Sequence, residues 1–354
     1  MEHHKETLIK TVKQLTQCGK GILAADESDS TLKKKFDTIS LETTVENARA
    51  YRELLFTTVD IENYISGVIL FAQTVDQKAA DGTPLVELLN KKGIVPGIKL
   101  DKGMAPLVDD SKETFTKGMD DLAERAKAFF EKGCRFAKWR CTLRADAHHP
   151  SELSIRETAY TLARYASVCQ SNGLVPIVEP ELLTDGAWDL KHGAQVSKRI
   201  FAAVFKALAD YGVLLEGCLF KPHMVTAAAE GPKACPKEVA KATVDVLRAT
   251  IPASLGGIFF LSGGQSEKEA TRHLHEVNAY AKEVGRPWTL SFSFGRALQN
   301  SVIATWKGLP EHKDAAQKVL TLRAKFNSDA VKAEYDEAAD AASDQSNYEK
   351  DYKY

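Results

Sequence analysis

The 354-residue chain predicts an α/β fold of the (β/α)8 TIM-barrel class, a single domain with a flexible C-terminal tail. Short apolar, β-branched runs bounded by Gly, Pro or charge recur eight times. Longer segments of helical periodicity separate them, as parallel strands joined by crossover helices require. No Gly-x-Gly-x-x-Gly follows the first run, which argues against an open doubly wound sheet. A barrel of this class takes roughly 250 residues, leaving about 100 for extensions and long loops.

Taken in order, an N-terminal helical extension precedes the first run, Gly21–Glu27, whose apolar half ends in two acids. Ser66–Phe71 and Val95–Asp101 follow, then Arg135–Arg140 and Leu174–Glu181, in which charged residues alternate with apolar ones. The sixth run, Glu216–Val225 (EGCLFKPHMV), ends in a lysine and a proline. Gly257–Gly264 closes on Ser-Gly-Gly and Thr289–Gly295 on Gly-Arg. Between the third and fourth runs, Leu122, Ala126, Phe129 and Phe130 share one face at helical spacing, and Ala187–Gly212 is long enough for a whole helix. The barrel with its extension is expected over 1–330. From Val331 the chain turns acidic and small-residue-rich, so 331–354 is expected to be mobile.

Composition narrows the functional classes. Charged residues make up 27% and the formal net charge is −1, so no field favours nucleic acid or an anionic membrane. The start has neither a secretion signal's apolar core nor a transit peptide's character, and no apolar run approaches a span, so a cytoplasmic protein is expected. Six cysteines without a C-x-x-C pair read as reduced thiols. The tight histidine pairs, His3-His4 and His148-His149, read as solvated, and no metal or other cofactor is expected. Trp139 and Trp306 read as packing residues, and Lys33–Lys35 as a solvated helix face, with Lys34 and Lys35 toward a phosphate end.

A barrel converges the C-terminal ends of its strands on one mouth. Those ends carry Asp26 and Glu27, Asp101 and Lys102, Lys138 and Arg140, Glu179 and Glu181, Lys221, the Ser-Gly-Gly, and Arg296. Desolvating so many ions costs several kcal/mol each unless they pair or act. Lys138 and Arg140 are two apart and point the same way, as do Glu179 and Glu181. The Ser-Gly-Gly offers backbone N–H groups for a phosphate and Arg296 a planar fork for the same anion.

A lysine at such a mouth can condense with a carbonyl to form an iminium. The attacking amine must be neutral, and lowering its pKa from ~10.4 to ~7–8 takes roughly 3–5 kcal/mol. A second ammonium about 4 Å away contributes about 4 kcal/mol at an effective dielectric of 20, so Lys138 is expected to supply most of the shift. Glu179 could move the protons of carbinolamine formation and dehydration, and Asp26 the hydroxyl proton whose loss breaks a carbon–carbon bond. The set reads as Schiff-base aldol chemistry on a phosphorylated sugar.

With GILAADES, GIKLDKG, FAKWR, IVEPE, LEGCLFKPHMV, FLSGGQSE, FSFGRALQ and a terminal tyrosine in this order, the chain resembles the class I fructose-1,6-bisphosphate aldolases along nearly its whole length. The resemblance implies reversible cleavage of fructose 1,6-bisphosphate to dihydroxyacetone phosphate and glyceraldehyde 3-phosphate, in glycolysis and gluconeogenesis. It implies Lys221 as the Schiff-base lysine, assisted by Lys138 and Glu179, with Asp26 acting on the C4 hydroxyl and Glu181 supporting the site. Ser262, Gly263, Gly264 and Arg296 would hold the C1 phosphate; Lys102, Ser28 and Thr31 lie toward the C6 phosphate, and Arg140 completes the basic lining. Tyr354 would enter from the tail to exchange the enamine proton, and a homotetramer is implied.

Two departures stand out. Where the family continues Thr-Gly-Ser after ADES, this chain reads Asp29-Ser30-Thr31, placing an acid near a phosphate site. The ending EKDYKY is closer to plant-type cytosolic members than to the animal Asn-His-Ala-Tyr ending. The competing expectations are a scaffold with a cytoskeletal partner on the same fold, and a Schiff-base aldolase preferring another phosphosugar.

Overall fold

The computed structural model describes residues 4–109 and 111–352. Each apolar run becomes a strand: β1 (Gly21–Ala25), β2 (Ile65–Leu70), β3 (Val95–Lys99), β4 (Phe136–Leu143), β5 (Val175–Leu182), β6 (Leu219–Phe220), β7 (Gly257–Phe260) and β8 (Leu290–Phe294). All pair in parallel with their sequence neighbours, and β8 returns to β1, closing the barrel. A short antiparallel pair, Met104–Pro106 with Thr114–Thr116, decorates the loop after β3.

The sixth strand is the one that departs most from its run. Glu216 falls in a 3-10 turn, Leu215–Gly217, and the ladder stops after Phe220 because Pro222 has no N–H to give. The segment stays tethered all the same. Lys221 N–H donates to the Val178 carbonyl at 2.8 Å, and Leu261 N–H to the Pro222 carbonyl at 3.0 Å.

Strand alternation sorts side chains into two cores. Ile22, Val95, Phe136, Val175, Ile177, Leu219 and Phe259 fill the barrel, and Leu8, Val12 and Leu15 of the helix Lys5–Leu15 join them. Ala137, Trp139, Cys141, Val178 and Phe220 belong to a larger core with the outer helices. Each fully buried Leu or Phe contributes about 1.5–3 kcal/mol. The interior is tight: a Cβ at Gly97 would lie 2.3 Å from the Phe136 ring. A larger residue there forces the strand or the ring to move, at about 1–3 kcal/mol.

The helices follow from patterning and caps. Helix Leu190–Asp210 buries Val196, Ile200, Val204 and Leu208 in one stripe, and the Asp189 carboxylate accepts from His192 N–H at its start. Helix Leu122–Glu131 buries Leu122 and Ala126, with Phe129 and Phe130 half-buried against the same core. Trp139 packs on Tyr165 (5.3 Å between ring centroids) and Trp306 stacks on Tyr51 (5.4 Å), so both tryptophans are packing residues. All six cysteines are free.

The last helix, Lys313–Lys332, runs two residues beyond the expected boundary at 330. Ordered packing continues: Tyr335 and Asp340 are buried, and Arg323 pairs with Asp340 at 2.6 Å. From there to residue 352 the chain crosses the C-terminal mouth of the barrel, touching Gly264, Arg296 and Asp185.

Candidate active site

Strands β1, β3, β4, β5 and the end of β6 aim their charges at one point. Lys138, fully buried, lies 3.0 Å from Asp26 Oδ2, 3.4 Å from Glu179 Oε2 and 4.0 Å from Asp101 Oδ2. Lys221 Nζ lies 3.2 Å from Glu179 Oε1, and Lys99 2.5 Å from Asp101 Oδ1. Three ammoniums thus interlock with three carboxylates, which is how so many ions tolerate burial. Lys138 and Lys221 both contact the Glu179 carboxylate, through Oε2 and Oε1 respectively.

Burial alone would raise the Asp26 carboxyl, but the Lys138, Lys221 and Lys99 ammoniums outweigh it and hold it below the usual carboxylate range. Glu181 behaves alike: burial raises it, and Arg140, whose Nε sits 2.5 Å from Glu181 Oε2, more than offsets that. The two-residue spacing on β4 and β5 therefore does what the sequence suggests. Lys138 and Arg140 face inward opposite Glu179 and Glu181, while Trp139 and Cys141 face the helices.

Above this floor is a cavity lined by Asp26, Glu179, Lys221, Arg140, Ser262 and Arg296. Gly263 takes a left-handed φ of 54° that turns the Ser-Gly-Gly into an anion-accepting bend, and Thr31 and Lys35 border the same space. Ser28 caps the helix Asp29–Asp37 and spends its hydroxyl on Ser30 and Thr31, 3.0 and 3.1 Å away. Gly264 lines an adjoining cavity that shares Ser262, Gly263 and Arg296, and it also touches the tail: its carbonyl accepts from Asn347 N–H at 3.0 Å. Arg296 donates to the Asn347 carbonyl at 2.7 Å and lies over the Tyr352 ring at 4.1 Å.

Lys102, like Ser28, does not line this cavity. It is exposed and pairs with Asp121 at 2.6 Å, because it falls past the end of β3 where alternation no longer governs. Lys99, on the strand and two residues before Asp101, is the inward lysine, and the spacing rule applied to β4 would have found it. Tyr354 lies outside the described residues; Tyr352 borders the cavity.

Sequence reasoning also missed His223, because proline breaks the pattern before it. The His223 Nδ1 accepts from Leu182 N–H at 3.2 Å, a bond joining the sixth strand's end to that of β5. Its Nε2 meets Ser197 Oγ at 2.8 Å, and Ser197 in turn donates to the Gly193 carbonyl at 2.7 Å. This order of donors requires a neutral ring with the proton on Nε2. Burial pushes its pKa down to about 4, against the opposing pull of Glu181.

The family model for class-I fructose-bisphosphate aldolase matches residues 7–354. The chain is 51% identical over 353 residues to cytosolic fructose-bisphosphate aldolase 5 of Arabidopsis thaliana, covering 99% of this chain and 98% of that protein. It is 51% identical to fructose-bisphosphate aldolase 1 of Toxoplasma gondii, covering 98% and 96%. Among solved structures, the fructose-bisphosphate aldolase of Plasmodium falciparum, in ternary complex with TRAP and a small molecule inhibitor, superposes with a TM-score of 0.93 at 50% identity, covering 95% of this chain and 97% of that one. With its closed parallel barrel and the lysine–carboxylate floor at the mouth, the chain belongs to the class I fructose-bisphosphate aldolase family.

Proposed function

We propose that this chain is a lyase that reversibly cleaves fructose 1,6-bisphosphate into dihydroxyacetone phosphate and glyceraldehyde 3-phosphate through an iminium on Lys221. The observation carrying the reading is Lys221 at the cavity floor, 3.2 Å from a carboxylate that also contacts a second buried lysine. In this reading Lys221 Nζ attacks the C2 carbonyl, and Glu179 passes the protons that convert the carbinolamine to iminium and water. Asp26 accepts the C4 hydroxyl proton, the C3–C4 bond breaks, and its electron pair enters the iminium as an enamine. Tyr354 returns a proton to C3, and hydrolysis releases dihydroxyacetone phosphate and the free lysine. Lys138 fixes Asp26 and Glu179, and Arg140 fixes Glu181.

Ser262, Gly263 and Arg296 suit the C1 phosphate, with Thr31 on the same cavity. Gly264 could join them once the tail has left it. Plant relatives named cytosolic, and the absence of any described helix long and apolar enough to cross a membrane, support a cytoplasmic setting. A homotetramer, and a tail that moves beyond the buried Asp340, complete the proposal.

Borohydride trapping with dihydroxyacetone phosphate, with and without EDTA, tests the mechanism. A stable adduct mapped to Lys221 and indifferent to EDTA is expected; no adduct, with activity abolished by EDTA, would sink the assignment. A second reading, preference for fructose 1-phosphate, is favoured by Lys102 pairing with Asp121 and by the exposed Asp29 at the expected C6-phosphate end. The ratio of turnover on the two sugars decides it. A protein-partner role draws support from the Plasmodium falciparum relative, solved with TRAP.

A further inference from the structure

Behind the cavity wall lies a buried group of charges that the cleavage steps do not use. Lys35, its side chain 11% exposed, reaches the cavity from the helix Asp29–Asp37 and pairs with Glu27, whose side chain is 7% exposed. The Lys35 ammonium also lies 3.4 Å from Gln299 Oε1, and Gln299 is held from both sides: Tyr51 OH donates to its Oε1 at 2.9 Å, and its Nε2 donates to the Ala24 carbonyl at 2.7 Å. On the far side of Glu27 stands Arg52, from helix Val45–Phe56 and 2% exposed. Its Nη1 lies 2.7 Å from Glu27 Oε2, an ion pair outside hydrogen-bond alignment, and its Nη2 donates to the Glu27 carbonyl at 3.3 Å.

The charges do not cancel. Lys35 and Arg52 carry two positive charges against the one negative charge of Glu27, so the trio keeps a net +1, with Lys35 and Glu27 both at the cavity and Arg52 behind them. Without Arg52, Glu27 would neutralise Lys35 and the trio would offer an anion nothing. We propose that Arg52 is a positioning residue for substrate binding: by offsetting Glu27 from behind, it leaves Lys35 with an unneutralised charge for a phosphate group of the sugar. The inference rests on the phosphosugar reading above. It explains why a fully buried arginine, costly to desolvate, stands behind Glu27 rather than among the residues lining the cavity. It also accords with burial, Arg52 and Arg296 all disfavouring the Lys35 ammonium against the pull of Glu27, a strain that an arriving dianion relieves.

The test compares Arg52→Met, Arg52→Lys and the double variant Arg52→Met/Glu27→Gln with the wild type. Readouts are KM and kcat on fructose 1,6-bisphosphate, competition by inorganic phosphate, and borohydride trapping. Arg52→Met is expected to raise KM and the phosphate inhibition constant about tenfold, with a much smaller change in kcat. Arg52→Lys, which keeps the charge, recovers the affinity. The double variant also recovers it, because removing the Glu27 charge again exposes Lys35; a purely structural arginine predicts no such rescue.

Wild-type affinity in Arg52→Met, or equally weak binding in the double variant, would overturn the proposal. So would a fall in kcat matching the rise in KM, shared by Arg52→Lys. Should Arg52→Met not fold, the double variant, which carries no charge at position 27 to bury, decides alone: tight phosphate binding supports the proposal and weak binding overturns it. Failure of wild-type trapping would fail the phosphosugar reading instead, so the two failures are distinguishable.

Discussion

Lys138 and Tyr352 border the same mouth, but they are held in different ways. Lys138 stands on a central strand, fully buried, among three carboxylates that themselves sit on or just beyond β1, β3 and β5. Tyr352 is delivered by a terminal segment fastened mostly through side-chain contacts, with one backbone bond from Asn347 N–H to Gly264: Asn347 to Arg296, Asn300 and Gln265, Tyr348 to Asp185, Glu349 to Lys34 and Asp351 to Arg144. The floor is rigid because removing any member strands a charge. The roof is held by separate bonds at or near the surface, each worth about 0.5–1.5 kcal/mol. A site built this way fixes its chemistry in the barrel and leaves its covering on separable contacts.

Substitutions of decreasing effect probe the contrast. Lys221→Met, at the centre of the floor, is expected to abolish trapping and lower kcat by about 10⁵-fold or more, measured by turnover and by mass mapping of the adduct. Glu179→Gln keeps the shape but removes the carboxylate that both lysines share. It is expected to cost about 10²–10⁴-fold in kcat, seen as slow adduct formation in single-turnover experiments. A loss smaller than tenfold would mean the floor does not depend on that shared charge.

Acid should separate the groups of the floor by pH. Asp26, Glu27 and Glu181 have folded pKa values below their unfolded ones, so their contribution to stability is present above about pH 4 and lost as pH falls through the folded values. His223 acts earlier. The unfolded chain binds a proton near pH 6.5, while the folded ring resists it until about 4, so stability falls between those values by about 3 kcal/mol. Urea midpoints measured at pH 7, 5.5 and 4.5 should show a shallower decline in His223→Gln than in the wild type; parallel declines would remove His223 from the account. His273, also pushed down to about 4 by burial, contributes a second such slope that the variant leaves in place.

The roof should respond least. Asn347→Ala removes the Asn300 and Gln265 bonds of the tail and is expected to speed hydrogen exchange across residues 344–352, with kcat changed by a factor of about three or less. Faster exchange in β4 or β5 as well would mean that floor and roof are one cooperative unit.

The same division explains what could be read from the residues alone. Lys138 with Arg140, and Glu179 with Glu181, were legible because strand alternation gives direction as well as position. Where regular structure ends, the signal ends: Lys102 lies past β3 and turns to Asp121, and His223 lies past a proline. Lys35 and Arg52 were harder still, for they come from two different helices and converge on Glu27 only through tertiary packing. In isolation Lys35 is one of three consecutive lysines on an amphipathic helix, with two exposed neighbours.

Strand β4 writes two messages in one ribbon. Lys138 and Arg140 speak to the substrate side, and Ala137, Trp139, Cys141 and Leu143 to the surrounding helices, with none of these serving both. A change of reaction can therefore be drafted at positions 138 and 140 while Phe136 and the odd-numbered positions go on specifying the same barrel. An ancestral strand of this kind could be rewritten for new chemistry one letter at a time without the fold being renegotiated at each step.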